Sequence, residues 1–340
     1  MNKLILLATA TLLALGTSAF ADNATITQTG ETTGYASQHQ PGGNNNTATI
    51  TQTGGTGDVA TQEQDRGTAT LPCCFFDESA NSTETITQTN NAGAVAHQED
   101  NTNGPDVQTI TQTGNTNGTS ANQTVNTAGS SFETQTSTQT QDSGSAVVQI
   151  IGASPNNVIY EDSNTQLASQ TGQTSSIIGQ SVDGTSASNT ETARENTNGA
   201  NNRISATILN GNSNTIVQTQ DVNARNDVQS ANVFGGNANY IEQYQGVGSA
   251  SNSQDASIVS SSAGRALQYQ STNVTGGSQT IDQNAGGADN QAGQGQGNSN
   301  NVALITQNGG AGNIAIQNQG LGSADAGFMF VNGAGVVVHN

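Results

Sequence analysis

The stretch NATITQTG, residues 23–30, carries the pattern that decides the fold of this chain. Its isoleucine and glutamine stand two residues apart, and eight clear copies of this Ile-x-Gln unit recur along the chain. The copies are Ile26/Gln28, Ile50/Gln52, Ile86/Gln88, Ile110/Gln112, Ile216/Gln218, Ile241/Gln243, Ile281/Gln283 and Ile305/Gln307. Successive isoleucines are 24, 36, 24, 106, 25, 40 and 24 residues apart, and the interval of 36 contains the unrelated sequence LPCCFFDES. A period of about 24 residues indicates stacked structural repeats.

A second glutamine follows most of these units after a further 10 or 11 residues. The pairs are Gln28/Gln38, Gln52/Gln62, Gln88/Gln98, Gln112/Gln123, Gln218/Gln229, Gln243/Gln254 and Gln307/Gln317. Glycine and asparagine are frequent between the two glutamines, which is typical of turns. Each repeat is therefore predicted to consist of two short segments joined by turns.

Strand geometry explains the spacing inside each segment. Side chains alternate between the two faces of a strand, so Ile26 and Gln28 point to one side and Thr27 points to the other. A helix does not fit, because there is no apolar stripe at i, i+3 and i+4, and the 41 glycines would destabilise helix interiors. We predict that the isoleucines and glutamines face the interior and that the threonines between them face solvent.

One such repeat cannot bury its own inner face, but a stack of repeats can. Stacking at roughly 4.7 to 4.9 Å lets each repeat hydrogen-bond to the next. Isoleucines then form dry columns, and each glutamine amide donates to one neighbour and accepts from the other. The predicted fold is an all-β, amyloid-like β-solenoid of stacked ~24-residue strand-loop-strand repeats, with roughly ten to thirteen coils. The Ile-x-Gln units and the second glutamines are its predicted structural ladder.

The composition excludes a conventional globular core. Only 31% of the residues are hydrophobic and 4% are aromatic, and the net charge is −19. So acidic and polar a chain is either disordered or ordered by regular stacking. A nucleic-acid partner is not expected, because lysine and arginine neutralise phosphates and the chain has only six of them.

Residues 1–21 are interpreted as a secretory signal peptide. Lys3 precedes an apolar run from Leu4 to Leu15, and small residues lead to an A-x-A cleavage site that ends at Ala21. The run is too short to span a bilayer core of about 30 Å, so a secreted chain with no transmembrane segment is expected. An uncleaved membrane anchor is the alternative interpretation.

No catalytic, metal or cofactor site is predicted, and the protein is not expected to be an enzyme. His39, His97 and His339 do not cluster at metal-ligand spacing. Cys73 and Cys74 are neighbours, which leaves a vicinal disulfide, two free thiols or pairing between chains open. No nucleophile-base pair or phosphate-binding loop is apparent. The scattered acids Glu63, Glu99, Glu242 and Asp255 are interpreted as gatekeepers that repel premature association.

The repeated units resemble the curlin-associated repeats of curlins, the subunits of bacterial curli fibres. The most similar copies are Asn46…Ile50-Thr51-Gln52…Gln62 and Asn301…Ile305-Thr306-Gln307…Gln317. The resemblance covers residues 22–123 and 212–320. Residues 124–211 are predicted to hold degenerate repeats with insertions, where Val147-Val148-Gln149 and Ile178-Gly179-Gln180 look like remnants. The apolar C-terminal tail, residues 321–340, is interpreted as a docking strand for another subunit. A final strand that caps the stack and an aggregation-prone tail are the alternatives.

The resemblance implies a structural subunit of an extracellular amyloid fibre that supports adhesion and the biofilm matrix at the surface of a bacterium. Its partners would be further copies of itself, other curlin-like subunits and export machinery. An independent argument is that the open ends of a solenoid expose unpaired backbone groups, which template the addition of another chain. Two alternatives stay open. One is a monomeric β-solenoid surface adhesin, and the other is an ice-binding protein that uses the outward pairs Thr25/Thr27, Thr49/Thr51, Thr85/Thr87 and Thr109/Thr111.

Overall fold

The computed structural model describes residues 23–40, 45–64, 81–102, 104–126, 132–152, 163–184, 186–284 and 288–320. The predicted signal peptide, the two cysteines, His339 and the C-terminal tail lie outside these residues. Within them the chain forms 23 β-strands and no helix. The strands are β1 (Asn23–Thr29), β2 (Tyr35–His39), β3 (Thr47–Thr53), β4 (Val59–Gln64), β5 (Thr83–Thr89), β6 (Val95–Asp100), β7 (Val107–Thr113), β8 (Ser120–Val125), β9 (Thr134–Thr140), β10 (Ala146–Ile151), β11 (Thr165–Thr171), β12 (Ile177–Asp183), β13 (Thr190–Glu195), β14 (Arg203–Asn212), β15 (Thr215–Gln220), β16 (Val228–Asn237), β17 (Tyr240–Gln245), β18 (Ser253–Val259), β19 (Arg265–Gln270), β20 (Ser278–Asn284), β21 (Gln291–Gln296), β22 (Val302–Asn308) and β23 (Ile314–Gln319).

The strands form two parallel sheets. The odd-numbered strands make a 12-stranded sheet, here the first sheet, and the even-numbered strands make an 11-stranded sheet, here the second sheet. Each strand pairs with the strand two places further along the chain, as Ile26 does with Ile50 and Gln38 with Gln62. One coil therefore takes one strand from each sheet, and the described chain makes eleven and a half coils. The predicted β-solenoid is confirmed.

The predicted inner and outer faces are also confirmed. In β3, Ala48, Ile50 and Gln52 are buried, and the threonines between them are half-buried on the outside. β-branched threonine and isoleucine favour this extended, pleated backbone. The strands end where the backbone becomes left-handed, with φ of +68° at Gly54 and +53° at Asn90 in the next coil. Glycine and asparagine adopt this conformation with the least strain, which is why they separate the strands.

The eight Ile-x-Gln units do not share one pair of columns. The first four isoleucines and their glutamines do stack, from Ile26 to Ile110 and from Gln28 to Gln112. The column of Ile110 then continues through Ser137, Ala168, Ala193, Gln218 and Gln243.

The other four units lie in two other places. Ile216 pairs with Glu191, so the units of Ile216 and Ile241 are displaced by two residues relative to the first four. Ile281 and Ile305, with Gln283 and Gln307, lie on the second sheet. A displacement of two residues keeps every side chain on its own face, since a strand has a period of two. The Ile-x-Gln pattern is therefore the same in both registers.

The interval of 106 residues between Ile110 and Ile216 contains regular coils. β9, β11 and β13 continue the first sheet across it with Ser137, Ala168 and Ala193 at the isoleucine position. The second sheet is likewise continuous, and Gln149 and Gln180 extend the column of Gln123. The repeat is degenerate in sequence here, but the stacking is not interrupted.

The apolar part of the core changes columns along the axis. The first coils use isoleucines of the first sheet, such as Ile50, packed with alanines of the second, such as Ala60. The middle coils reverse this arrangement, with Ile178 on the second sheet and Ala168 on the first. The largest cluster begins at Val125, beside the middle coils, and extends to Ile305 in the last described coil. Pairing a large residue with a small one fills a narrow interior without voids.

Candidate functional site

The most extensive ordered feature is a set of inward glutamine ladders. In the first sheet, Gln28 donates its Nε2–H to Oε1 of Gln52 at 2.6 Å, and Gln52 donates to Gln88 at 2.7 Å. Gln88 donates in turn to Gln112 at 2.8 Å. Each inner glutamine thus accepts from the coil before it and donates to the coil after it. The ladder has a direction, because each N–H that bonds to the next glutamine points towards the C-terminal coils.

A matching ladder runs through the second sheet. It consists of Gln38, Gln62, Gln98, Gln123, Gln149 and Gln180, with successive distances of 2.7, 2.8, 2.9, 2.8 and 2.7 Å. Gln62 also donates to the backbone oxygen of Thr49 in the first sheet at 3.2 Å. The ladders therefore stabilise the stack of coils and also join the two sheets.

The remaining predicted ladder residues form shorter ladders in other columns. Gln218 donates to Gln243 at 2.7 Å, in the column that ends at Gln317. Gln229 donates to Gln254 at 2.9 Å, and Gln283 donates to Gln307 at 2.9 Å. In the second sheet Gln229 directly follows Ile204 and Gln283 directly follows Ile258, so stacked amides replace isoleucines in these two columns.

Carboxylic acids occupy ladder positions that sequence reasoning missed. Glu84 takes the place of Ala48, and Glu191 and Glu195 follow Gln166 and Gln170. Burial raises the pKa of Glu191 and of Glu195 to about 8. Burial, together with the negative charges of Asp100, Glu63 and Glu99, holds the pKa of Glu84 well above its ordinary value. A signal was present in the sequence TETITQ, because a period of two places Glu84 on the face of Ile86.

The ladder around Glu195 needs a proton to be complete. Gln170 donates to Oε2 of Glu195 at 3.0 Å. Oε1 of Glu195 and Oε1 of Gln220, the next residue in the column, are buried without a hydrogen-bond partner among the described residues. A protonated carboxyl has one O–H donor, which a carboxylate lacks. Protonated Glu195 can therefore donate to Gln220 and continue the ladder.

The outer surface of the first sheet begins as an array of threonines. From β1 to β9, threonine occupies 18 of the 20 outward positions, and the exceptions are Asn23 and Val107. Strand spacing and pleat give these side chains a grid of roughly 4.8 by 6.6 Å. No charged side chain interrupts this part of the face. The outward pairs noted in the sequence are thus brought together and extended by β9.

The later part of the same face is different. Tyr240, Glu242 and Tyr244 stand outward on β17. Tyr244 stacks on Tyr269 of the next coil, with ring centroids 5.2 Å apart, and Arg265 lies 5.3 Å above the ring of Tyr240. The threonine array therefore covers only the N-terminal coils.

Two of the predicted gatekeeper acids are stacked directly on each other. Glu63 and Glu99 are paired positions of β4 and β6 on the outside of the second sheet, and both are partly exposed. His39 lies 3.7 Å from Glu63, and His97 lies 3.9 Å from Glu99. Glu242 and Asp255 also face outward. All four side chains are on the outer surface, where their carboxylates contact solvent.

Comparison with known proteins adds no relative. No protein-family model matches the chain, and no curated protein matches it. Among the residues that the structure describes, no helix is long and apolar enough to cross a membrane. No group of three or more histidines, cysteines or acids in the same residues is placed to hold a metal ion.

Proposed function

We propose that this chain is a structural subunit of an extracellular, curlin-like amyloid fibre and that it acts by self-association rather than by catalysis. The observation that carries the proposal is the pair of strand edges at each end of the described solenoid. β1 and β2 pair with other described strands on one side only, and so do β22 and β23. Unpaired strand edges of this kind template the addition of another chain.

The interior supports the same function. Stacked glutamine amides and isoleucines are the side-chain arrangement of cross-β fibres, and here they already exist within one chain. The fibre would serve adhesion and matrix cohesion outside a bacterial cell, with further copies, other curlin-like subunits and export machinery as partners. The resemblance of the repeats to curlins supports this setting.

Fibre growth from purified monomer tests the proposal. The chain lacking residues 1–21 is purified in denaturant and transferred to buffer. We expect thioflavin-positive fibres after a lag that preformed fibres shorten. Persistent monomer at high concentration would contradict the proposal, and cell binding by that monomer would favour the surface adhesin instead.

The threonine array supports a second candidate function, the binding of ice. Regularly spaced hydroxyl and methyl groups on a flat, uncharged sheet can order water in a lattice. Inhibition of ice growth by the monomer, at concentrations where no fibre forms, would favour this function over fibre formation.

A further inference from the structure

The last described coil repeats the first. Residues 302–319 align with residues 23–40 without a gap. The inward residues of β22 are Ala303, Ile305 and Gln307, and those of β1 are Ala24, Ile26 and Gln28. The inward residues of β23 are Ala315, Gln317 and Gln319, and the corresponding residues of the first coil are Ala36, Gln38 and Gln40. All six inward positions are identical.

The turns of the two coils are of equal length. Five residues connect β1 to β2, and five connect β22 to β23. Two left-handed residues fall at the same places, with φ of +68° at Gly30 and +65° at Gly309, then +60° at Thr33 and +70° at Gly312. The last coil has a third left-handed residue, Gly310, where the first coil has Glu31. The two coils therefore share their inward side chains and the length of their turn, and the turns differ in conformation at one residue.

Corresponding strands of the two coils nevertheless lie in opposite sheets. β1 belongs to the first sheet, whereas its counterpart β22 belongs to the second, because 23 strands make an odd number of half-coils. A further strand that followed β23 along the coil would pair with the open edge of β22. The strand that fits this place best in side-chain order is the β1 of another copy.

We infer that copies of this chain stack head to tail with half a turn of rotation about the solenoid axis between neighbours. β1 of the incoming copy pairs with β22, and its β2 pairs with β23. This inference rests on the proposed self-association and specifies its register. The threonine face then alternates between opposite sides of the fibre from one copy to the next.

The polarity of the glutamine ladders is complementary at this junction. At the N-terminal edge, Gln28 and Gln38 donate inward to the next coil, which leaves their Oε1 atoms towards the edge. At the other edge, Gln307 donates to the backbone oxygens of Gln291 and Asn313. Gln283, one coil earlier, makes the equivalent bonds to the backbone oxygens of Arg265 and Asn290. Gln283 makes one further bond, to Oε1 of Gln307 at 2.9 Å.

Gln307 has no following described residue in its column, and Gln28 of the incoming copy supplies the missing acceptor. Gln317 would reach Gln38 in the same way. Without the half-turn, Gln317 would face Ile26 and Ile305 would face Gln38, which places an amide against an aliphatic side chain in both sheets. The rotation thus follows from the side chains as well as from the number of strands.

Exposed apolar side chains at the two ends favour the addition of a second copy. Val302 and Leu304 are 70% and 61% exposed, and Tyr35 is 56% exposed. In the rotated register Tyr35 of the incoming copy packs over Ile314, and Thr25 lies next to Leu304. These large apolar side chains lose solvent contact when a second copy is added.

Cross-linking between copies tests the register. In a background with both cysteines replaced by serine, Thr25→Cys protein is mixed with Leu304→Cys protein, assembled and treated with a short bismaleimide. The matched control mixes Thr25→Cys with Ile316→Cys, the neighbour that Thr25 would have without rotation. Each copy carries a single cysteine, so any cross-linked dimer joins two copies. We expect several-fold more dimer from the Leu304→Cys mixture.

Each other outcome has a distinct meaning. Fibres with dimers mainly from the Ile316→Cys mixture would overturn the half-turn and leave the fibre function standing. Fibres without dimers from either mixture, or fibres that form only after removal of residues 321–340, would mean that another segment covers the edge of β22, and would also overturn the inference. No fibre under any condition would remove the proposed function and this inference together.

Electron microscopy supplies an independent readout. Gold attached at Thr51→Cys marks the threonine face of every copy. A solenoid of this number of coils is about 55 Å long, so labels on one side of a rotated fibre repeat at about 110 Å and alternate with those on the other side. Labels on a single side at about 55 Å would contradict the rotation.

Discussion

Gln170 and Glu195 are successive residues of one buried ladder, and the amide N–H of Gln170 is bonded to Oε2 of Glu195 across 3.0 Å. The same carboxyl has a second oxygen that meets no described donor, opposite the equally unpartnered Oε1 of Gln220. A buried acid in an amide ladder is compatible with the fold when it carries a proton. The stability of the solenoid should therefore depend on pH.

The sign of this dependence follows from the pKa values. Burial raises the folded-state pKa of Glu195 and Glu191 to about 8, that of Asp142 to about 7 and that of Asp227 to about 6. The stability that such groups contribute is fully present below their ordinary pKa, near 4, and is lost as the pH rises through the folded-state value. We expect the free energy of unfolding, measured by urea titration, to be higher at pH 5 than at pH 9. Equal stability at the two pH values would contradict the prediction.

Replacing one buried acid should remove part of this dependence. Glu195→Gln restores an amide donor to Gln220 without a charge, and we expect it to stabilise the solenoid at pH 9 by about 1 to 3 kcal/mol and to change little at pH 5. Glu242→Gln is the matched control, because it removes the same charge from the outer surface. A control that stabilises as much as Glu195→Gln would mean that net charge, rather than the ladder, sets the pH dependence.

The ladders should be far more sensitive to substitution than the outer face. Gln52→Ala removes bonds to Gln28, Gln88 and the backbone oxygen of Tyr35, so we expect a loss of about 1 to 3 kcal/mol in the free energy of unfolding. Thr51→Ala, one residue away on the outside, should cost no more than about 0.5 kcal/mol. Chemical denaturation of the two variants checks the difference, and similar losses would tell against this division of the faces.

The faces, the solenoid and the first four coils were predictable because alternation and a 24-residue period are local signals. The displacement at Ile216 was not, since moving a strand by two residues preserves both its faces and the Ile-x-Gln spacing. The coils of β9, β11 and β13 could not be recognised from the Ile-x-Gln motif either, because alanine or serine stands at the isoleucine position. The exchange of sheets by the last two units depends on summed loop lengths, which the motif itself does not record.

Buried acids were overlooked for a different reason. Acidic residues in a highly charged sequence are ordinarily expected on the surface, and Glu63 and Glu99 do lie there. Glu84 and Glu195 are distinguished only by falling on the inward phase of a strand. That phase becomes certain when the register of the whole stack is known.

Outward acids should control the rate of assembly. Glu63 and Glu99 already face each other on neighbouring strands, and further stacking brings more like charges together. Converting Glu63, Glu99, Glu242 and Asp255 to their amides should shorten the lag of fibre growth at neutral pH. Added salt should shorten the lag of the unmodified chain, because it screens charges over about 10 Å at 0.1 M. A lag that responds neither to salt nor to these substitutions would mean that these acids are not gatekeepers.

The threonine array should be separable from fibre growth, which depends on the ends of the solenoid. Thr85→Lys with Thr87→Lys places two charges in the middle of the array, and Thr124→Lys is a control on the outside of the second sheet. We expect all three proteins to form fibres. If the array orders water, inhibition of ice growth by the monomer should be lost only in the double variant. Loss in the control as well would exclude the array as the ice-binding surface.

A fibre of this protein should be built from intact solenoids, whose ladders lie within each chain. Solid-state NMR of fibres can distinguish contacts within a chain from contacts between copies, when 13C- and 15N-labelled protein is diluted into unlabelled protein before assembly. We expect the contact between the side chains of Gln52 and Gln88, bonded at 2.7 Å, to keep its intensity per labelled chain on dilution. Disappearance of that contact on dilution would show that the residues meet only between copies, and it would contradict the claim.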